Sequence, residues 1–220
     1  MTRNTWIALG AVVLIALAGL GWYAFGGSGS STGTAGTYEI LPTDRVLGNR
    51  NSKVVLIEYA APACPACAAF NEQVFPQLKA NYIDTGKILY IFRVYPLFPA
   101  DGMAEKIARC LPEDKYFSFI DLVFRNQPKW DPEYRLTPDQ TREGLILMGR
   151  IAGMSAEQVN QCWANKAEDE RINKVSSEGE ARYNITGTPS FILNGVNQGS
   201  GVIPYDRLAK LLDTELAKQQ

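Results

Sequence analysis

The run Val54-Val55-Leu56-Ile57-Glu58-Tyr59, followed a few residues later by Cys64-Pro65-Ala66-Cys67, decides how this chain folds. The run is short, β-branched and apolar, which reads as a buried strand. After Cys67 the spacing becomes helical, with Phe70, Val74, Leu78 and Tyr82 lining one face. Two thiols therefore stand at a strand-to-helix turn. There the unpaired N–H groups of the first turn and the positive end of the helix dipole favour a thiolate at Cys64. Pro65 suits the first turn, because its missing N–H would have no partner there. Cys67 follows almost one turn later, close enough to attack a mixed disulfide on Cys64.

Two blander readings of the pair are weaker. A CxxC is also half of a zinc site, but the chain has no histidine and only two further cysteines, Cys110 and Cys162, which form no second CxxC. No metal is expected on that ligand count. A purely structural CxxC bridge closes so short a loop that it removes little denatured-state entropy. The preferred reading is a catalytic dithiol, which needs no cofactor.

With 220 residues, 46% hydrophobic and 20% charged, the chain can bury one substantial core. A net charge of −1 points away from nucleic acid and acidic lipid as partners. The N-terminus stands apart, because Trp6 to Phe25 is twenty residues without a charge, preceded by Arg3. Twenty helical residues rise about 30 Å, enough to cross a bilayer. Arg3 on the short leading side places the N-terminus in the cytoplasm and the folded part outside. We therefore expect residues 1–25 to hold an anchor and 26–37 a Gly/Ser/Thr linker, with residues 38–220 as the folded domain. A cleaved signal peptide, ending at Ala16-Leu17-Ala18, is the rival reading. Either way the chain is exported to the cell envelope, on the periplasmic or extracytoplasmic face, where disulfides persist.

Lys87 to Val94 reads as a second strand, closing a β-α-β unit. From about Asp101 to Tyr183 the pattern is helical, with breaks at Pro112, Pro128 to Pro138, Gly153 and Asn165. Sheet signals return at Ser190-Phe191-Ile192-Leu193, then a turn at Asn194-Gly195 and a short strand near Val196. Pro204 to Lys218 closes as an amphipathic helix, with Leu208, Leu211, Leu212 and Leu216 inward. The class is α/β, with a helical insertion between two sheet-forming halves.

These features together resemble a membrane-tethered member of the thioredoxin-fold DsbA family, the bacterial disulfide oxidoreductases. The likeness runs from about Tyr38 to the end. It rests on Val46-Leu47-Gly48-Asn49, Cys64-Pro65-Ala66-Cys67, Asp84-Thr85-Gly86-Lys87 leading into Arg93-Val94-Tyr95-Pro96-Leu97, and Gly187-Thr188-Pro189-Ser190-Phe191. The resemblance implies Cys64 as the exposed nucleophile, Cys67 as its resolving partner, and Pro189 as an active-site cis-proline. Thr188 before it would turn its backbone toward the dithiol and pair with an extended substrate segment. The family also places a buried acid beneath the active site, which Glu58 matches by position. A carboxyl inside an apolar strand has a raised pKa and is suited to exchange a proton with Cys67, although a solvent-facing strand residue is the equal alternative. Ala66 departs from the family's strongest oxidants, which carry histidine there. Backbone donors and the helix dipole must then hold the thiolate, and a weaker oxidant is expected.

In an exported chain the remaining even pair, Cys110 and Cys162, suggests a second, structural bridge, as some relatives have, with two buried free thiols as the alternative. Phe117, Phe119 and Phe124 read as core, with some of them lining a peptide groove beside the dithiol. The leading function is oxidation of reduced, unfolded exported proteins by a monomer that a DsbB-like membrane partner reoxidises. A reductase or isomerase of the same fold and a non-catalytic peptide-binding module are the alternatives. Against the isomerase, no segment between the anchor and Tyr38 would form its dimerisation domain. Against the cytochrome-pathway reductase, Ala63 stands where those relatives carry tryptophan.

Overall fold

The computed structural model describes residues 38–219. The span expected over residues 6–25 and the linker over 26–37 lie outside the described residues. Among the described residues no helix is long and apolar enough to cross a membrane.

The apolar run ahead of the dithiol forms strand β2 (Val55–Ala60), and all six of its residues are buried. A parallel neighbour, β3 (Leu89–Val94), pairs Leu56 with Tyr90 and Glu58 with Phe92. The other neighbour, β4 (Ser190–Leu193), runs antiparallel and sets Tyr59 opposite Ser190. β1 (Arg45–Gly48) lies outside β3 and β5 (Val196–Ser200) outside β4, so the sheet order is β1-β3-β2-β4-β5. β1 carries no strand signal in the sequence, because its three half-buried residues and the exposed Gly48 are too few to show periodicity.

Alternation along β2 divides its side chains between two cores. Leu56 and Ala60 join Phe70, Tyr90, Phe92 and Phe191 on one face, while Val55, Ile57 and Tyr59 join Val175, Tyr183 and Ile185 on the other. Glu58 shares the parity of Leu56 and Ala60. It therefore points to the face that carries the dithiol helix, α1 (Pro65–Gln73), where Phe70 packs on Phe191 with ring centroids 4.6 Å apart.

The helix expected to run through Tyr82 is divided into α1, a short α2 (Phe75–Leu78) and a π-turn (Lys79–Ile83). Pro76 is the reason, since it has no N–H for the ladder and its ring crowds the preceding turn. The apolar face survives the division: Phe70, Val74, Leu78 and Tyr82 are all buried.

The helical insertion begins at Pro99 and comprises α3 (Pro99–Cys110), α4 (Tyr116–Arg125), α5 (Pro138–Ile151), α6 (Ala156–Trp163) and α7 (Lys166–Tyr183). Its starts are marked by side chains that take up free N–H groups: Thr137 with Gln140, Ser155 with Gln158, and Asn165 on Ala167. α7 lies against the second sheet face at Gly179, where a Cβ would stand 2.6 Å from the Tyr59 ring. The β4–β5 turn, Asn194-Gly195, has positive φ at both residues, as a two-residue hairpin turn requires. Helix α8 (Tyr205–Ala217) buries Leu208 and Leu212 against the α1 side, with Leu211 and Leu216 partly covered.

Candidate active site

The chain leaves β2 at Ala60, makes a turn in which Cys64 N–H reaches Ala61 O at 3.0 Å, and enters α1 at Pro65. Cys64 is the N-cap residue, with φ −80° and ψ 118°, and its sulfur accepts the Cys67 N–H at 3.2 Å. The cap position is one that side-chain acceptors normally fill, and here a sulfur fills it. Pairing of β4 with β2 brings the segment ahead of Ser190 to the same place. The Cys64 thiol donates to Thr188 O at 3.4 Å, and the Thr188–Pro189 bond is cis. Gly201 N–H occupies the Pro189 carbonyl at 2.8 Å, so the Thr188 carbonyl is the one that faces the sulfur.

Both active-site cysteines are free thiols. Cys64 is less open than expected of an exposed nucleophile: it is 5% exposed, against 0% for Cys67. The reason is the close approach of Thr188 on one side and the start of α1 on the other. The difference between the two sulfurs keeps its direction, with Cys64 outermost.

Hydrogen bonding from the Cys67 thiol pulls the Cys64 pKa down to about 6, against its burial, and the N–H groups of Cys67 and Ala66 add to the effect. These groups are all uncharged, which is how a thiolate is favoured with alanine at position 66. Burial pushes the Cys67 thiol well above its ordinary value, and its hydrogen bond to Cys64 adds to the rise. The two thiols are thus driven apart by position alone.

Glu58 is 2% exposed and accepts the Tyr90 hydroxyl. This decides between the two readings of its burial: it lies inside, not in solvent. Desolvation raises its pKa to about 8; the Tyr90 hydrogen bond opposes this and the nearby Cys64 adds to it. Its charge in turn contributes to the rise at Cys67.

Cys110 and Cys162 lie far from this turn in sequence and join α3 to α6 as a disulfide, with Cα atoms 6.0 Å apart. Phe119 and Phe124 are buried, whereas Phe117 is partly covered. Phe124 also lines a cleft of about 430 Å³ that starts at Pro65 and Ala68 and ends at Tyr134.

Three contributors to the site were not read from sequence. Tyr90 was assigned only to a strand, and its bond to Glu58 depends on the β2–β3 register. Asp101 accepts Ala63 N–H at 2.6 Å, and an acid in the first turn of a helix is the one signal it offered. Gln127 donates to the carbonyls of Pro62 and Cys64, and nothing in its local sequence announces this.

Fold and site together define a thioredoxin-fold protein with a dithiol at a helix start facing a cis-proline loop. The family described as thioredoxin matches residues 41–214. The structure superposes on Wolbachia pipientis alpha-DsbA1 with a TM-score of 0.72 and 30% identity, covering 81% of this chain and 94% of that one. A Rickettsia bellii protein named "Putative protein-disulfide oxidoreductase" is 34% identical over 161 residues, 73% of this chain and 60% of the relative. A Bacillus cereus protein named "Probable disulfide bond formation protein D" is 27% identical over 223 residues, 99% of this chain and 100% of the relative. The chain thus spans about six-tenths of the length of the Rickettsia relative it matches. The chain belongs to the thioredoxin family, and within it is DsbA-like.

Proposed function

We propose that this protein is a thiol:disulfide oxidoreductase that introduces disulfides into exported proteins. The observation that carries the reading is the hydrogen bond from Cys67 N–H to Cys64 Sγ at the start of α1. With the hydrogen bonding from the Cys67 thiol, which is the larger contribution, it favours the Cys64 thiolate; a low-pKa thiolate is a good leaving group, and stabilising the reduced form makes the disulfide form a stronger oxidant. That favours oxidase over reductase even with alanine at position 66.

In the oxidised protein a substrate thiolate attacks Cys64 Sγ, breaking the Cys64–Cys67 bond and releasing Cys67 as a thiolate. Glu58, protonated over much of the neutral range, donates a proton to that sulfur. A second substrate thiolate then attacks the substrate sulfur of the mixed disulfide, and Cys64 departs as a thiolate. Two electrons have passed from the substrate to the protein. The backbone of Thr188 and Pro189 docks the extended substrate segment beside Cys64. Cys110 and Cys162 serve the insertion as a structural bridge.

The setting belongs to the same proposal. Residues 6–25 anchor a monomer in the cytoplasmic membrane, the domain over 38–220 faces outward, and a membrane redox partner returns it to the disulfide form. Fractionating cells and sequencing the N-terminus tests the anchor; a soluble species beginning at Gly19 would sink it. The chemistry is tested with Cys67→Ala and Cys64→Ala. The first is expected to accumulate substrates on Cys64 as mixed disulfides, because the resolving thiol is gone, and the second to hold few or none. Failure of Cys67→Ala to capture any protein, together with failure of the oxidised wild type to oxidise a reduced peptide, overturns the oxidase.

A further inference from the structure

The turn that carries Cys64 is gripped by two buried side chains from the helical insertion. Asp101 is 0% exposed; one carboxylate oxygen accepts Ala63 N–H at 2.6 Å and the other accepts Leu97 and Phe98 N–H at 2.9 and 2.8 Å. Gln127 is 3% exposed, and its Nε2 donates to Pro62 O at 2.8 Å and to Cys64 O at 3.1 Å. Three successive residues are thus held by carbonyl, N–H and carbonyl in turn.

The base that presents Gln127 is stiff. Its own carbonyl accepts N–H bonds from Trp130 at 3.0 Å and Asp131 at 2.8 Å. Trp130 is fully buried, and its indole N–H reaches Val123 O at 2.9 Å. Helix α5 presses on the same turn at Gly144, where a Cβ would stand 2.1 Å from Lys129 O. Only glycine permits that approach.

We propose that Gln127 is a positioning residue for the dithiol: by fixing the Pro62 and Cys64 carbonyls it holds the cap conformation in which Cys67 N–H reaches Cys64 Sγ. The inference rests on the reading of Cys64 as the attacking thiolate. The Cys64 carbonyl receives two donors, Gln127 Nε2 and the Ala68 N–H at 3.1 Å, the latter being the first bond of the α1 ladder. It is the atom at which the turn and the helix meet. Without the amide, the peptide planes on either side of Ala63 lose a restraint, and a hydrogen bond to sulfur weakens steeply as it bends away from linear. A glutamine amide suits the role because it offers two donors on a neutral group, adding no charge beside the thiolate. Glutamate has the same reach and, when ionised, no donor at all.

The test uses Gln127→Met and Gln127→Glu in the otherwise intact protein, with thiolate absorbance followed against pH and the dithiol equilibrated with glutathione. Both variants should raise the Cys64 midpoint by about half a pH unit or more, roughly threefold less thiolate at acid pH. The glutathione equilibrium should move toward a weaker oxidant by a similar factor. A lower melting temperature with midpoint and equilibrium both unchanged would mean that Gln127 is only structural, and would overturn the inference. If neither variant folds, NMR of the wild type decides: the Gln127 side-chain amide protons must shift through the Cys64 titration, and a flat response overturns the proposal. Failure of the underlying reading is separately visible, because the wild type itself would then titrate as an ordinary thiol.

Discussion

Tyr90 donates its hydroxyl to Glu58 across the parallel β2–β3 pair, and both side chains are buried on the face that carries the dithiol helix. A carboxyl group with one hydroxyl partner and little else polar around it is held toward its neutral form. The site therefore pairs an easily ionised thiol, Cys64, with a reluctantly ionised acid, Glu58. Opposite shifts of this kind separate the thiol that leaves from the group that handles protons.

The Cys64 thiolate should form with a midpoint of about 6 in the reduced protein. Its alkylation rate is then expected to climb about tenfold between pH 5 and pH 7 and to level off above that, because the thiolate is the nucleophile. Stopped-flow alkylation of the reduced wild type against pH measures it, because Cys67 is fully buried and held well above its ordinary value and so does not compete. A rate still rising steeply at pH 8.5 would contradict the cap geometry.

Glu58→Gln keeps the size of the side chain and an acceptor for Tyr90 but removes the proton-exchanging group. Proton transfer by a positioned side chain contributes about a hundredfold or more, so release of Cys67 should slow on that order. Stopped-flow reaction of the oxidised protein with a reduced peptide, run at pH 7, provides the comparison.

The same substitution should change the pH dependence of stability in a defined direction. Glu58 has a folded-state pKa raised from 4.5 to about 8. The folded state therefore binds the proton more tightly than the unfolded one, and stability falls as pH rises across that window. Relative to wild type, Glu58→Gln should gain stability steadily from pH 4.5 to pH 8. Urea titrations at several pH values check it, and parallel curves for the two proteins would count against a buried carboxyl.

Cys110 and Cys162 close a loop of 52 residues. The loop-entropy argument assigns such a crosslink about 4 kcal/mol. Cys110→Ala combined with Cys162→Ala should lower the denaturation midpoint accordingly. The Cys64 thiolate midpoint should not move, because none of the groups that set it belongs to this bridge.

Arg93 and Asp44 form a buried ion pair at 2.8 Å, and Arg93 also donates to the Tyr59 hydroxyl and to Glu39 O. Asp44→Ala leaves the guanidinium inside without its counter-charge. Such a change costs about 3–5 kcal/mol. Thermal denaturation should show the loss, and protease digestion should show residues 38–44 released first.

Much of this protein was legible in its residues because the relevant physics is local. A β-branched apolar run, a proline behind a cysteine, and the return of helical spacing are enough to place a dithiol at a helix start. The breaks in the insertion were equally local, since Pro112, Gly153 and Asn165 end or begin helices by their own backbone chemistry. Other features depend on contacts between distant parts of the chain. Whether Glu58 faced water or the core was settled by the pairing of β2 with two strands and by α1 lying on that face. Tyr90 meets Glu58 only through the strand register, and Thr188 meets Cys64 only because β4 is laid beside β2. Gln127 is the clearest case. Its neighbour Pro128 marks only a break between helices, and its partners lie 65 and 63 positions away. Local propensity determines where elements begin and end, but a long-range hydrogen bond is defined only when packing brings its two ends to the same point, and for this reason the grip on the active-site turn was decided by the tertiary structure alone.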